Sequence, residues 1–285
     1  MARFVREDPG NRFPGSTAPY FEEPLVGFAA ADDPLFAQYK TVIGPFHLAP
    51  AELAREETPP WQPSTVICWA LPISEETRRS NRAESTYPSR DWAQTRQHGE
   101  AFNAALRRQV VQFLRDAGYR ALAPQLHPAW REYLDSPVGI ASTWSERHAA
   151  YAAGLGTFSL NDALITPRGI AHRLGSVITD LGLAPTPRPS ADHRMNCLWY
   201  REGSCGACID RCPVGALSTG GHDKNICREY VYGGVPGAVG ESYAVTATGC
   251  GLCQTKVPCE GSIPPGKAPG NGKRQLQEKD GTEVH

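Results

Sequence analysis

Residues 205–213 read Cys205-Gly206-Ala207-Cys208-Ile209-Asp210-Arg211-Cys212-Pro213, and this stretch decides how the C-terminal part of the chain folds. Working outward, Cys197 lies upstream, and Cys227, Cys250, Cys253 and Cys259 lie downstream. Of 9 cysteines in 285 residues, only Cys68 falls outside this block. Such crowding means either disulfides or metal. The first residues, MARFVREDPGNRFPG, hold no apolar core and no twin arginine, which argues against secretion. No apolar run approaches the roughly 18 residues of a membrane span. The expected location is the cytoplasm, where clustered thiols hold metal or carry redox chemistry.

The spacing is informative. Cys-x2-Cys-x3-Cys-Pro matches the last part of the bacterial two-cluster ferredoxin run, in which the final cysteine crosses over to the other cluster. Eight cysteines suffice for two [4Fe–4S] clusters. The crossover rule assigns Cys197, Cys205, Cys208 and Cys259 to one and Cys212, Cys227, Cys250 and Cys253 to the other. The usual first cysteine would stand at Glu202, so either Cys197 on a longer loop or Glu202 completes the first cluster. A zinc site from Cys205, Cys208, Cys250 and Cys253 is the competing reading, but it leaves Cys212, Cys227 and Cys259 without a role.

Upstream the pattern changes. Residues 1–24, with Pro9, Pro14, Pro19 and Pro24, read as an irregular lead-in over the surface. Residues 32–40 suit a short helix capped by Asp32 or Asp33. Residues 64–73, STVICWALPI, are a buried strand carrying an inert Cys68. Residues 92–117 form a helix, with Phe102, Leu106, Val110, Phe113, Leu114 and Ala117 on one face. A strand at Tyr119–Ala123 follows, and strand–helix–strand argues for an α/β sheet. A helix over 145–153 and strands at Leu164–Pro167 and Leu174–Asp180 complete this part. The expected organisation is a lead-in over 1–24, an α/β cofactor and substrate domain over 25–190, a two-[4Fe–4S] ferredoxin-like domain over 191–262, and a flexible tail over 263–285. Lys plus Arg is 29 and Asp plus Glu 30, so a global basic surface for nucleic acid is excluded.

Ser145-Glu146-Arg147-His148 through Ala153-Gly154-Leu155-Gly156, then Leu164–Arg168 and Leu174–Asp180, resemble the core of the epoxyqueuosine reductase and reductive dehalogenase family. The cysteine order agrees, down to Gly249-Cys250-x2-Cys253-Gln254. The resemblance covers roughly residues 60–262. It implies an α+β sandwich of nitroreductase-like, corrinoid-binding type ahead of the two clusters. It also implies a cobalamin near Gly154, Leu155, Gly156 and Thr157, although a helix cap and turn explains those glycines equally well. By resemblance, electrons come singly from a ferredoxin or flavodoxin and reduce an epoxide or a carbon–halogen bond.

The resemblance also expects an Asp-Ser-Ala-Pro segment shortly before Glu146-Arg147, its Asp a proton donor. The nearest match, Asp135-Ser136-Pro137, lies several residues further upstream. No catalytic residue is therefore assigned; Glu146, His148 and Tyr151 are the candidates. Arg147, Arg168, His172 and Arg173 are polar candidates for holding cofactor or substrate, and Trp144 and Trp199 for walling a flat group. The near-neutral charge and the short stretch after Cys259 argue against a tRNA substrate and for a small molecule. The alternative function is a corrinoid-free two-cluster electron-transfer or binding protein.

Overall fold

The computed structural model describes residues 1–266. The flexible-tail expectation for 263–285 lies almost wholly outside them. In chain order the first elements are α1 (Ala2–Glu7), β1 (Leu25–Ala30), α2 (Pro34–Val42), α3 (Pro50–Arg55), β2 (Thr65–Pro72), α4 (Glu75–Arg82) and α5 (Arg90–Asp116). Next come β3 (Ala121–Leu122), β4 (Glu132–Tyr133), β5 (Ala141–Ser142), α6 (Glu146–Ala152), β6 (Thr157–Phe158), β7 (Leu164–Ile165) and β8 (His172–Thr179). The cysteine-bearing part holds α7 (Leu198–Glu202), α8 (Ala207–Asp210), β9 (Leu217–Ser218), β10 (Gly221–His222), α9 (Lys224–Glu229) and α10 (Glu241–Tyr243). Between α9 and α10 the chain winds as π-helix over Tyr230–Gly234 and Pro236–Gly240.

The architecture is mixed α/β, three layers deep. The central sheet has the order β1-β2-β8-β3, and every neighbouring pair is antiparallel. Strand–helix–strand rhythm suggests neighbouring parallel strands, and here the structure differs. β2 and β3 do run parallel, but β8 lies between them and pairs with both. Alternation on β2 serves both faces. Val66 and Cys68 join Phe36, Leu53, Trp144 and Ala150 on one side. Ile67, Trp69 and Leu71 join Trp92, Phe102 and Leu106 of α5 on the other. Burial on both faces explains why β2 reads as an unbroken apolar run.

The caps agree with the sequence at α2, where Asp33 accepts from the Leu35 amide at 3.0 Å. Ser145 precedes α6 but turns its hydroxyl to His148 Nδ1 (2.8 Å), so it caps no backbone amide. Phe113 and Ala117 are exposed, not core-facing, because Leu114 takes the buried position and β3 beneath is two residues long.

Residues 1–24 differ most from expectation. They begin with a helix, and Val5, Tyr20 and Phe21 are each 1% exposed in the core layer of α5. The Asn11 amide bonds Val5 O (2.8 Å) and Phe21 O (3.0 Å), doing for this segment what a strand ladder does elsewhere. The prolines signalled irregular backbone; they said nothing about burial. Among the described residues no helix is long and apolar enough to cross a membrane.

Candidate functional site

The eight clustered cysteines fall into two groups in space. Cys197, Cys205, Cys208 and Cys259 line one small cavity of about 30 Å³ against Leu160, Ile165 and Val257. Burial, then the Cys197, Cys208 and Cys205 thiols, push Cys259 up to about 12. Cys212, Cys227, Cys250 and Cys253 face a second space. Cys250 is pushed up to about 11 by burial, opposed by the Leu252 amide and reinforced by Cys227 and Cys212. Cys253, partly buried, is raised well above the usual thiol value by desolvation and then by Cys250, Cys227, Cys208 and Cys212.

Local structure sets these positions. Asn161 donates to Cys253 O at 3.0 Å. Arg211, between Cys208 and Cys212, donates to Leu252 O (3.2 Å), Thr255 O (3.1 Å), Glu84 O (2.7 Å) and Asn81 O (3.2 Å). One guanidinium thus ties both cysteine runs to the end of α4. Glu202 accepts from Arg201 Nε at 3.0 Å and does not line the first cavity, whereas Cys197 does. Among the described residues no three His, Cys, Asp or Glu side chains converge on a single metal-ion position.

The second quartet opens on a cleft with an empty volume of about 1780 Å³. Trp130, Trp144, Leu164 and Leu174 supply apolar wall, and Arg96, Glu146, Arg147, His172 and Arg173 supply charge and hydrogen bonds. Trp144 is fixed by Nε1–H donating to Ser176 Oγ at 2.9 Å. Trp199 walls the first cysteine cavity instead. Arg168 pairs with Glu22 and is not a lining residue of the cleft.

Beneath the cleft lies a charge network. Arg107, 1% exposed, donates to Glu100 Oε1 (3.0 Å), Glu146 Oε1 (3.2 Å), Leu174 O (3.0 Å) and Gln125. Glu100 also pairs with Arg173. Burial raises the Glu100 pKa, but Arg173 and Arg107 outweigh it and hold it at about 2. Glu146 Oε2 is buried with no hydrogen-bond partner. On the far wall His222 Nδ1 meets Asp162 Oδ2 at 3.1 Å. Burial lowers the His222 pKa, but Asp162 and Cys227 carry it up to about 9.

Of the catalytic candidates, Glu146 lines the cleft; His148 and Tyr151 do not. His148 packs between Tyr39 and Phe158, and burial, then Arg147, push its pKa down to about 3. Tyr151 packs on Phe158. Gly154, Leu155, Gly156 and Thr157 are also absent from the cleft wall. They form a helix end and turn. Gly154 has φ +72°, and a Cβ on Gly156 would lie 2.3 Å from Ile165 O. Asp135 sits in the exposed loop between β4 and β5, whose Glu132 and Ser142 reach the cleft rim. Sequence reasoning missed Arg96, Glu100, Arg107 and His222. The first three did leave a signal, a polar stripe at helical spacing beside the apolar stripe of α5.

No protein-family model matches the chain. An epoxyqueuosine reductase of Bacillus anthracis is 34% identical over 119 residues, 40% of this chain and 29% of the relative. The match thus spans less than a third of that relative's length. Among solved structures, an epoxyqueuosine reductase with an epoxyqueuosine-modified tRNA stem loop aligns with a TM-score of 0.50 and 20% identity, over 86% of this chain and 64% of that one. A catabolic reductive dehalogenase aligns with a TM-score of 0.51 and 17% identity, over 84% and 30%. The sequence-based argument against tRNA does not stand, because a protein of this fold is seen with a tRNA stem loop. Net charge averages over the whole surface, whereas phosphate contacts depend on one patch. In sequence the chain resembles epoxyqueuosine reductases, and in fold it resembles both these and reductive dehalogenases.

Proposed function

We propose that this chain is a reductase whose cysteines hold two [4Fe–4S] clusters and whose cleft holds a corrinoid beside a substrate with an epoxide or carbon–halogen bond. Cys197, Cys205, Cys208 and Cys259 would hold one cluster, in a ferredoxin-like segment over 191–262, and Cys212, Cys227, Cys250 and Cys253 the other. When bound, these groups supply single-electron chemistry that no side chain of the chain supplies. The observation that carries the reading is the placement of two cysteine quartets side by side, the second forming part of the cleft wall.

The protein's own contribution is binding and orientation. Trp130 and Trp144 offer flat apolar surface that excludes water. Arg107 fixes the Glu146 carboxylate through Oε1, with Oε2 buried and unpartnered behind the cleft wall. Asp135 is exposed on the β4–β5 loop and does not line the cleft, so no proton donor is assigned.

The test is anaerobic purification followed by cobalamin reconstitution. About eight iron and eight sulfide per chain are expected, with cobalt retained through gel filtration. The reconstituted protein should then be offered an epoxyqueuosine stem loop and halogenated organic compounds under a low-potential reductant. Bound zinc without iron would sink the reading. Iron with no retained cobalt would leave the corrinoid-free electron-transfer protein.

A further inference from the structure

Asp162 holds a left-handed backbone, with φ +61°, where residues carrying a side chain are uncommon. Its turn, residues 159–163, is closed from several sides. The Asp162 amide donates to Ser159 O (3.0 Å), Ser159 Oγ donates to Ala163 O (2.8 Å), and Arg147 Nη1 donates to Asp162 O (2.7 Å). Backbone strain of this kind collects where a side chain must point one way.

The turn addresses the second cysteine quartet twice. Asn161 bonds the carbonyl of Cys253. Asp162 acts through His222, which follows Gly221 on β10 and lines the cleft together with Cys227. His222 Nδ1 faces Asp162 Oδ2 at 3.1 Å, and the same side chain hydrogen-bonds that of Cys227. The imidazole is thus a bridge from a carboxylate of the α/β body to a thiol of the quartet. Lys224 Nζ lies 4.0 Å from the same Asp162 oxygen, but its hydrogen bond goes to Val138 O at 2.9 Å.

The partners fix the direction of the bridge. A carboxylate only accepts, so Asp162 takes the proton on Nδ1 and leaves Nε2 for Cys227. A thiolate that has lost its proton on binding iron also only accepts, so Nε2 donates to it. A hydrogen bond to a ligand sulfur draws charge from the cluster and favours the reduced form, which carries one more electron.

We propose that His222 is a positioning residue for the second quartet. It donates a hydrogen bond to the Cys227 sulfur, Asp162 holds its ring in place, and this bond raises the reduction potential of the cluster beside the cleft. The inference rests on the two-cluster reading and adds to it the residue that sets one cluster apart from the other.

The test uses the full chain, purified anaerobically, in a redox titration followed by electron paramagnetic resonance, with iron assayed in every sample. In His222→Phe one of the two potentials should fall and the other stay. The ratio of reduced to oxidised cluster at a fixed potential should drop about tenfold, equivalent to about 59 mV for one electron. His222→Gln, whose amide keeps an N–H donor, should recover part of that shift. Lys224→Gln removes a positive charge beside Asp162 but no donor to Cys227, and both potentials should stay near wild type. In wild type labelled with [15N]histidine, hyperfine spectroscopy of the reduced protein should show a coupled histidine nitrogen; this measurement carries the test if the His222 variants lose iron. Absence of that coupling overturns the proposal, and so do unchanged potentials in an iron-replete His222→Phe. An equal fall in both clusters, or the same fall in Lys224→Gln, overturns it too, because the effect is then one of general charge. A wild type without iron overturns the two-cluster reading and takes this inference with it. A wild type with both clusters, indifferent to His222, overturns this inference alone.

Discussion

Arg107 occupies a position that its residue type rarely tolerates, at 1% exposure, and is kept there by two carboxylates, a side-chain amide and a backbone carbonyl. Removing it strands Glu100 and Glu146. Arg107→Met should therefore cost about 3–5 kcal/mol in urea unfolding, and Arg107→Lys should not restore it, since an ammonium lacks the fork that reaches both carboxylates. Three histidines, His47 at 1% exposure and the partly buried His148 and His172, make a second prediction. Burial is the first cause pushing His47 and His172 down to about 4 and His148 to about 3. The folded state refuses protons that the unfolded state takes near pH 6.5. Stability is then intact above about pH 6.5 and falls as pH drops towards 4, by up to about 4 kcal/mol per pH unit for three such groups. Glu100 acts in a lower window, stabilising above the usual carboxylate pKa and losing that effect only as pH falls through about 2. His222 acts in the other direction; its stabilisation is full below pH 6.5 and lost as pH rises through about 9. Denaturant titrations at stepped pH should show the acid slope reduced by about a third in His148→Phe; an unchanged slope rejects the assignment. The polar stripe of α5 hinted at Glu100 and Arg107, but not at what they meet, and the histidine environments were not legible in the sequence at all. An arginine or histidine looks the same there whether it meets water or a buried glutamate.

β2 and β8 are held in register over eight residue pairs, and Trp69 faces Gly175 in that register. The indole takes the space a side chain would need. A Cβ on Gly175 would lie 2.5 Å from the Trp69 ring, whose Nε1–H donates to Asn103 Oδ1 at 2.9 Å. Gly175→Ala should destabilise by about 1–3 kcal/mol through overpacking, read as a lowered melting temperature, and Trp69→Phe in the same chain should recover part of it. At this scale the sequence was readable where burial was uniform. Residues 64–73 gave a strand because both faces are buried, and 92–117 gave a helix because one stripe is. The lead-in was misread because Asn11, not regular pairing, satisfies its backbone. Strand order was illegible, since the partners Ile67 and Val177 stand far apart in sequence.

Across the whole molecule, many hydrogen bonds tie the cysteine-bearing segment to the α/β body, among them those of Arg211 to Glu84 O and Asn81 O, of Arg82 to Glu260, of Asn161 to Cys253 O and of Asn196 to Ile165 O. Arg211→Met should leave the sheet and its helices folded by circular dichroism while lowering iron retention and opening residues near Cys212 to protease. Equal loss of helical signal and iron would instead mean that the two parts unfold together. The grouping of cysteines was approachable from spacing because thiol ligation imposes short, repeated intervals. The cleft was not, because its walls come from α5, the loop around β5, β8 and the π-helical stretch.

The insertion of β8 between β2 and β3 also has a bearing on how the chain is made. During synthesis β2 and β3 emerge first, with the strand that must join them still to come. At about 5–20 residues per second, the 50 residues from Leu122 to His172 take about 3–10 s to arrive. For that interval β2 offers a fully apolar strand with one edge unpaired, open to neighbouring nascent chains. The yield of soluble protein should therefore depend on what shields that edge on the ribosome more than on the final stability of the sheet.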